Sequence, residues 1–170
     1  MCRACVKRSC LWAGVPIQAE PHYEQASALF KEIGNQRGYA LARLSVGITR
    51  TLVGDWPGAL AAYRQSLILA RRLHDIDLLT YVVHGIAGAV GLQGDAERSA
   101  RLFGAASRLR EEVAVALAPS YRALVETTIA RIKAGMASPE TFEQYYQEGQ
   151  ALSMAQTLEL ARQYAVVKRT

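Results

Sequence analysis

The residue types best suited to chemistry lie at the N-terminus, where all three cysteines of the chain are found. Cys2 and Cys5 have the C-x-x-C spacing, and Cys10 follows nearby. A structural zinc site needs four ligands, and the nearest candidate for the fourth is His22. A redox-active C-x-x-C normally adjoins a strand–helix unit, which the surrounding sequence does not predict. We therefore expect free thiols on a frayed segment over residues 1–10.

No other set of residues has the spacing of a catalytic or metal site. The histidines, His22, His74 and His84, are far apart in sequence. Adjacent carboxylates such as Glu111 and Glu112 point in different directions on a helix, so they do not form an acid–base pair. The serines lack a nucleophile-elbow context, and the phosphate-binding motif G-x-x-x-x-G-K-[ST] is absent from the sequence. The sequence predicts a protein that is not an enzyme and uses no cofactor or metal.

Composition and charge narrow the class of protein further. The 170 residues are 51% hydrophobic, as is typical of a globular domain. No apolar run is long enough to span a bilayer, and the N-terminal apolar stretch is too short for a signal peptide. We therefore expect a cytoplasmic protein without a membrane segment. The net charge of +5 makes nucleic-acid binding an alternative, which the even spread of arginines along the chain disfavours.

An internal repeat determines the elements that would position any binding residue. Five sequence positions recur at a constant interval, and each keeps its residue type: a glycine, a small residue, an aromatic residue, a second small residue and a leucine. The five series are Gly14, Gly54 and Gly94; Ala19, Ala59 and Ser99; Tyr23, Tyr63 and Phe103; Ala26, Ser66 and Ala106; and Leu29, Leu69 and Leu109. A period of about 40 residues is typical of proteins whose units bury their apolar faces by stacking on one another.

Apolar periodicity predicts helices throughout the chain, separated by short breaks. In the clearest unit, an apolar helix over 36–53 ends at Gly54, and Asp55 caps the next helix. The following unit has the same plan, with helices over 77–93 and 96–113. Each unit is therefore predicted to be a pair of helices joined by a tight turn.

The repeat stops beyond residue 115, where three further helices are predicted. One begins at Pro119, one begins at Pro139 with Ser138 as its N-cap and ends at Gly149, and one follows a capping box. The capping box consists of Ser153 and Gln156. We expect these helices to cover the open end of the stack, since solenoids need an atypical terminal cap.

This organisation divides the chain into three segments. Residues 1–10 are the frayed segment, residues 11–115 hold repeats whose units divide near 35 and 75, and residues 116–170 form the capping helices. The first unit lacks most of its first helix. We therefore expect either a fragment of a longer protein or a truncated reading frame.

The order of glycine, small and aromatic residues resembles the tetratricopeptide repeat. The residues that carry this resemblance are Gly47, Gly54, Asp55, Ala59, Tyr63 and Ser66 in one unit, and Ala87, Gly94, Asp95, Ser99, Phe103 and Ala106 in the next. The resemblance implies an all-α fold, a right-handed α–α superhelix of helix hairpins. The period departs from the usual length of about 34 residues, and the proline that ends a unit is missing. A HEAT-like stack is the alternative fold, because repeats of that type have a period that overlaps the one seen here.

The C-terminal part resembles the end of large bacterial signal-transduction regulators. The residues that carry this second resemblance are those over 100–112, Pro119 and Tyr121, and those from Phe142 to Ser153. These multidomain regulators join a STAND-type NTP-binding module to long repeats, often with a LuxR-type, SARP-type or cyclase-like output domain. The resemblance implies a sensor or scaffold, with the other domains of a larger regulator as partners. It carries no catalytic residue.

In tetratricopeptide repeats the first helix of each pair lines a concave groove that binds a partner. Carried over by this resemblance, the predicted groove consists of Leu41, Leu44, Ile48, Thr51, Tyr81, His84, Gly88 and Leu92. The apolar character of these residues favours a protein segment such as an amphipathic helix, or a small effector. The alternative is that Leu44, Ile48 and Tyr81 pack between the longer helices. A homo-oligomer formed through the open N-terminal end is a further expectation.

Overall fold

The computed structural model describes residues 19–114 and 116–164, and over these ranges it holds helices and no β-strand. The helices are α1 (Glu20–Glu32), α2 (Gln36–Val53), α3 (Trp56–Arg72), α4 (Ile76–Leu92), α5 (Ala96–Val113), α6 (Pro119–Ala134), α7 (Glu140–Gln150) and α8 (Met154–Tyr164). The predicted all-α class is therefore confirmed. The expected free thiols at Cys2, Cys5 and Cys10 lie outside the described residues.

Four consecutive helices begin with a side-chain cap, and the caps are evenly spaced along the chain. They are Asn35, Asp55, Asp75 and Asp95. In each case a side-chain oxygen accepts a hydrogen bond of 2.8–3.2 Å from the backbone N–H three residues later. Each bond satisfies one of the N–H groups that the first turn of a helix leaves without an intrahelical partner. The second and third repeat units are therefore each built from two similarly capped helices, whereas α1 of the first unit has no side-chain cap.

Positive φ angles follow the repeat as well. Gly34, His74 and Ala114 are one repeat period apart and have φ angles of +73°, +52° and +52°. Gly54 and Gly94 are separated by the same interval, with φ angles of +83° and +106°. This left-handed conformation ends a helix and lets the chain reverse. Glycine adopts it without strain, whereas the Cβ atoms of His74 and Ala114 make it costly at those two turns.

The predicted C-terminal helices exist, but two details of the second one are wrong. This helix, α7, begins at Glu140, and the Ser138 hydroxyl donates a 2.7 Å hydrogen bond to the Glu140 carboxylate instead of capping a backbone N–H. Gly149 lies inside α7 and not at its end. The predicted capping box is formed at the start of α8, where the Gln156 N–H donates to Ser153 Oγ and the Ser153 N–H donates to Gln156 Oε1.

The first helices of successive units pack side by side. Helix α2 contacts α4, and α4 contacts α6, while α3 and α5 each pack against α4. The contacts between α4 and α6 pair Tyr81 with Tyr121 and Gly88 with Thr128, so the two helices run in the same direction. The two members of each pair are one repeat period apart in the sequence. The stacking of helices therefore extends beyond the segment in which the sequence pattern recurs.

Tyr63 is the central side chain between two units of the stack. It is 1% exposed, and its ring occupies the space left by Gly47 of α2 and Gly85 of α4, where a Cβ atom would collide with it. Its hydroxyl forms a 3.0 Å hydrogen bond with Thr51 Oγ1. These contacts explain why α2 and α4 carry glycines within their helical spans, since close packing leaves no space for larger residues.

Helices α5 and α7 cross at two glycines. A Cβ atom at Gly104 would collide with the backbone of Tyr146, and a Cβ atom at Gly149 would collide with the backbone of Arg101. Helix α8 then packs against α5, α4 and α3. Helix α7 is therefore joined to α5, the second helix of its unit, through close backbone contact.

Candidate functional site

Most residues of the predicted groove meet at one cleft between α2, α4 and α6. Five of the eight line this cleft: Ile48, Thr51, His84, Gly88 and Leu92. Helix α4 supplies its floor, and α2 and α6 supply its walls. We call this feature the apolar cleft.

The other three predicted residues have different surroundings. Leu44 is buried in the core, and Leu41 is 38% exposed on α2. Tyr81 is half-buried where α6 packs against α4, with its ring centroid 4.6 Å from that of Tyr121. These positions bring Leu44 and Tyr81 into packing between helices and leave Leu41 facing solvent.

The apolar cleft is narrow. Its volume is about 40 Å³, which is room for a few water molecules or part of one side chain. Its α6 wall is formed by Leu124 and Thr128, and Gly85 and Gly88 keep its floor low. Pockets for whole small molecules measure about 300–1,000 Å³, so this cleft suits a single inserted side chain.

Sequence reasoning did not assign the α6 wall to the site. Tyr121, Leu124 and Thr128 belong to a helix that was expected only to close the end of the stack. The 40-residue offset from Tyr81 to Tyr121 is the signal that identifies them. Of the 16 residues of α6, Ile132 alone is buried, so the helix is attached mainly through half-buried contacts with α4.

His84 lies in the wall of the apolar cleft and is buried beneath Phe103 and Tyr121. Burial lowers the pKa of His84 to about 4, against the opposing effect of its hydrogen bond to the Thr80 carbonyl, and Arg110 lowers it further. Nδ1 lies 2.9 Å from the Thr80 carbonyl oxygen. Because a carbonyl only accepts, Nδ1 carries the proton of the neutral ring and Nε2 is an acceptor. No residue in the described ranges donates a hydrogen bond to Nε2.

A second, larger cavity lies on the other side of His84. It measures about 500 Å³, opens to solvent, and is lined by residues of α4, α5, α6 and α7 and of the segment between α5 and α6. Its deep wall contains His84 and Phe103, while Arg122 and Glu126 are exposed at its rim. Arg110 of α5 is half-buried and also lines this cavity. We call this feature the polar cavity; the sequence did not predict it, because its residues come from four helices with no shared spacing.

Exposed apolar side chains occur at two further places. Leu29 of α1, the first described helix, and Ile33, the residue that follows it, are 60% and 71% exposed. The expected pairing of two chains through the N-terminal end would depend on this surface. Ile68 is 58% exposed beside a cleft between α3 and α8 that measures about 450 Å³.

Among the residues that the structure describes, seven arginines are paired with carboxylates of the protein itself. The pairs join Arg37 to Asp75, Arg43 to Glu24, Arg50 to Glu20, Arg98 to Asp95, Arg101 to Glu97 and Glu148, Arg108 to Glu112, and Arg162 to Glu159. Much of the positive charge that the sequence spreads along the helices is therefore neutralised locally.

Within 19–114 and 116–164, no three His, Cys, Asp or Glu side chains are grouped closely enough to bind a metal ion. None of the helices in these ranges combines the length and the apolar character needed to cross a bilayer. No family model, no curated protein and no solved structure matches this chain.

Proposed function

We propose that this protein is a non-enzymatic interaction and effector-sensing module, with tetratricopeptide-like helix hairpins, from the C-terminal part of a bacterial signal-transduction regulator. Its recognition surface is the apolar cleft, which receives an anchoring side chain from a protein segment. The observation that carries the proposal is the geometry of the cleft: Gly85 and Gly88 of α4 form a floor between walls from α2 and α6. The residues of α2 and α4 in this cleft include five of the positions that the resemblance assigns to a groove.

The chemistry of the cleft favours a protein segment over a free small molecule at this surface. Ile48 and Leu92 offer apolar contacts, and the exposed Leu41 extends the apolar face along α2. A helical partner places apolar anchors at intervals of three and four residues, and one anchor fits a cleft of this size. Anchor side chains in desolvated pockets carry most of the binding energy in such interfaces.

The packing order supports the tetratricopeptide-like interpretation. Each first helix contacts the first helix of the next unit, and α3 contacts the α4 helix that follows it. The capped turns give each unit the form of a helix hairpin. The regulator context rests on the sequence resemblance over the C-terminal segment.

Nucleic-acid binding is the alternative function, and the ion pairs of the protein weigh against it. Binding to phosphates needs free lysines or arginines, and affinity then falls steeply as salt increases. Five exposed arginines form no ion pair with any described carboxylate, and this alternative would depend on such residues: Arg64, Arg71 and Arg72 of α3, and Arg122 and Arg131 of α6.

The experiment is a selection of amphipathic helical peptides from a display library on the full chain in 0.15 M salt. The selected peptides should bind the Ile48→Lys variant at least tenfold more weakly, because the substitution places a charge in the cleft wall. The Ile68→Lys variant is the matched control, since Ile68 is exposed on α3 away from the cleft, and its affinity should not change.

The proposal fails if the selected peptides bind Ile48→Lys as well as the wild type. It also fails if no peptide depends on the cleft while duplex DNA binds with an affinity that is lost between 0.05 and about 0.2 M salt, the range in which phosphate contacts weaken. Tyr81→Ala is a less specific test, because the Tyr81 ring also packs against Tyr121 of α6.

A further inference from the structure

We propose that the polar cavity binds a small organic acid, that is, a molecule with one carboxylate and an apolar body. The inference rests on the effector-sensing part of the proposed function, but it concerns a different cavity from the apolar cleft and a defined class of ligand. Its carrying observation is a half-buried arginine that lines a large cavity and has no anionic partner among the described residues.

The size of the cavity and the apolar residues within its mixed lining suit a molecule of this class. Its volume of about 500 Å³ falls within the range of about 300–1,000 Å³ that small-molecule sites occupy. Phe103, which is 1% exposed, forms the deep wall, and Val125 and Ile129 line the α6 side. These side chains would contact the apolar body of the ligand.

Arg110 is exceptional among the arginines of the described ranges. Four of them are buried or half-buried: Arg43, Arg50, Arg101 and Arg110. The first three pair with carboxylates, whereas Arg110 has no carboxylate within ion-pairing distance among the described residues. Its Nη2 donates a 3.2 Å hydrogen bond to Ser107 Oγ instead. A guanidinium in partial burial favours a carboxylate, which it binds with two parallel hydrogen bonds.

The remaining charges limit the ligand to a single negative charge. Arg122 adds a second cation at the rim, and Glu126 adds one carboxylate there. His84 is neutral at pH 7 because burial lowers its pKa to about 4. The wall therefore carries a net charge of one positive unit, which suits a monocarboxylate better than a phosphate or a polyanion. Ser107 Oγ and His84 Nε2 offer further hydrogen-bonding positions for a polar substituent on the ligand.

The test is calorimetric titration of the full chain with three monocarboxylates, namely octanoate, benzoate and indole-3-acetate. Octanamide serves as the uncharged counterpart of octanoate, and inorganic phosphate serves as the anion without an apolar body. At least one monocarboxylate should bind at least tenfold more tightly than octanamide and phosphate. The Arg110→Met variant, which keeps an apolar stem, should bind that acid at least tenfold more weakly.

Two variants keep the test decisive. Arg108→Met is the matched control, because Arg108 lies on the same helix, is exposed and is already paired with Glu112, so binding should be unchanged. Glu126→Gln removes the one carboxylate of the wall at an exposed position, and it should strengthen binding several-fold. This gain of affinity remains measurable even if Arg110→Met fails to fold.

The proposal is overturned if none of the three acids binds better than octanamide, or if Arg110→Met and Arg108→Met bind the acid equally well. These outcomes are separate from those of the peptide test. Ile48→Lys should bind the acid as the wild type does, and Arg110→Met should bind the selected peptides as the wild type does.

Discussion

The Tyr121 hydroxyl donates a 2.9 Å hydrogen bond to the backbone carbonyl of Tyr81, 40 residues earlier in the chain. The two rings lie with their centroids 4.6 Å apart at an angle of 58°. This pair attaches α6 to α4 in the register of the repeat, although α6 has none of the glycine and aromatic positions that define the repeat in the sequence. The pair therefore determines how α6 forms the second wall of the apolar cleft.

Removing this hydroxyl should loosen α6 selectively. Tyr121→Phe should lower the free energy of unfolding by about 0.5–1.5 kcal/mol, the usual net contribution of one hydrogen bond. Hydrogen exchange should show faster exchange of α6 amides than of α4 amides. Tyr39→Phe is the control, because the Tyr39 hydroxyl donates only to the exposed Gln65, and its effect should be smaller. Equal effects of the two substitutions would contradict the assigned role of Tyr121.

The crossing of α5 and α7 should not tolerate a side chain. Gly104→Ala places a Cβ atom against the backbone of Tyr146 and Gln150, which no side-chain rotation relieves. We expect a loss of about 2–3 kcal/mol in the free energy of unfolding, as for overpacked cores. Gly135→Ala is the control, since the nearest atom to its Cβ would be 3.5 Å away. Urea denaturation measures the free energy of unfolding of both variants. A Gly104→Ala variant as stable as Gly135→Ala would contradict the close crossing of α5 and α7.

The left-handed turns should respond to substitution in opposite directions. Ala114→Gly relieves strain at a φ of +52° and should raise the free energy of unfolding by about 1 kcal/mol. Gly94→Ala introduces strain at a φ of +106°, with open space around the new Cβ atom, and should lower it by a similar amount. Thermal and urea denaturation would check both signs, and a destabilised Ala114→Gly variant would be the unexpected result.

Burial of His84 should make stability depend on pH. The ring stays neutral in the folded protein down to a pKa of about 4, whereas in the unfolded chain it binds a proton below about pH 6.5. The unfolded state therefore binds more protons between these values, and the free energy of unfolding should decrease as pH falls from 6.5 to 4. A pKa difference of this size corresponds to about 3 kcal/mol.

The comparison that isolates His84 is the pH slope of stability in the His84→Gln variant. This slope should be smaller than in the wild type. All other titrating groups are present in both proteins, so their contributions cancel when the two slopes are subtracted. His22→Gln is the control for replacing an imidazole at an exposed position. Identical slopes in the wild type and His84→Gln would show that His84 is not the residue responsible.

The sequence predicted the helices of the repeat well, because several of their boundaries have a local cause. Asp55 and Asp95 identify helix starts, and Gly54 identifies a helix end, through chemistry contained within a few residues. His74 and Ala114 adopt the same left-handed conformation as Gly34 without being glycine. No pattern of residue types therefore revealed that these three positions share a conformation.

The site was less predictable, because it depends on contacts between distant helices. The groove residues on α2 and α4 followed from the resemblance, but the α6 wall required knowing that Tyr121 packs on Tyr81. The ligand proposed for the polar cavity depends on Arg110, which has no carboxylate partner among the described residues. Arg108, two residues earlier, is paired with Glu112. Helical spacing explains the pair at Arg108, four residues before Glu112, and says nothing of what surrounds Arg110.

The most direct measurement of the proposed function is NMR mapping of a selected helical peptide on the full chain. Methyl signals of Ile48, Thr51, Leu92 and Leu124 should shift on binding, because these residues line the apolar cleft. The methyl signals of Ile68 should remain unchanged. Shifts confined to α3 around Arg64 and Arg72, with none at the cleft, would contradict the assignment of the cleft as the recognition surface.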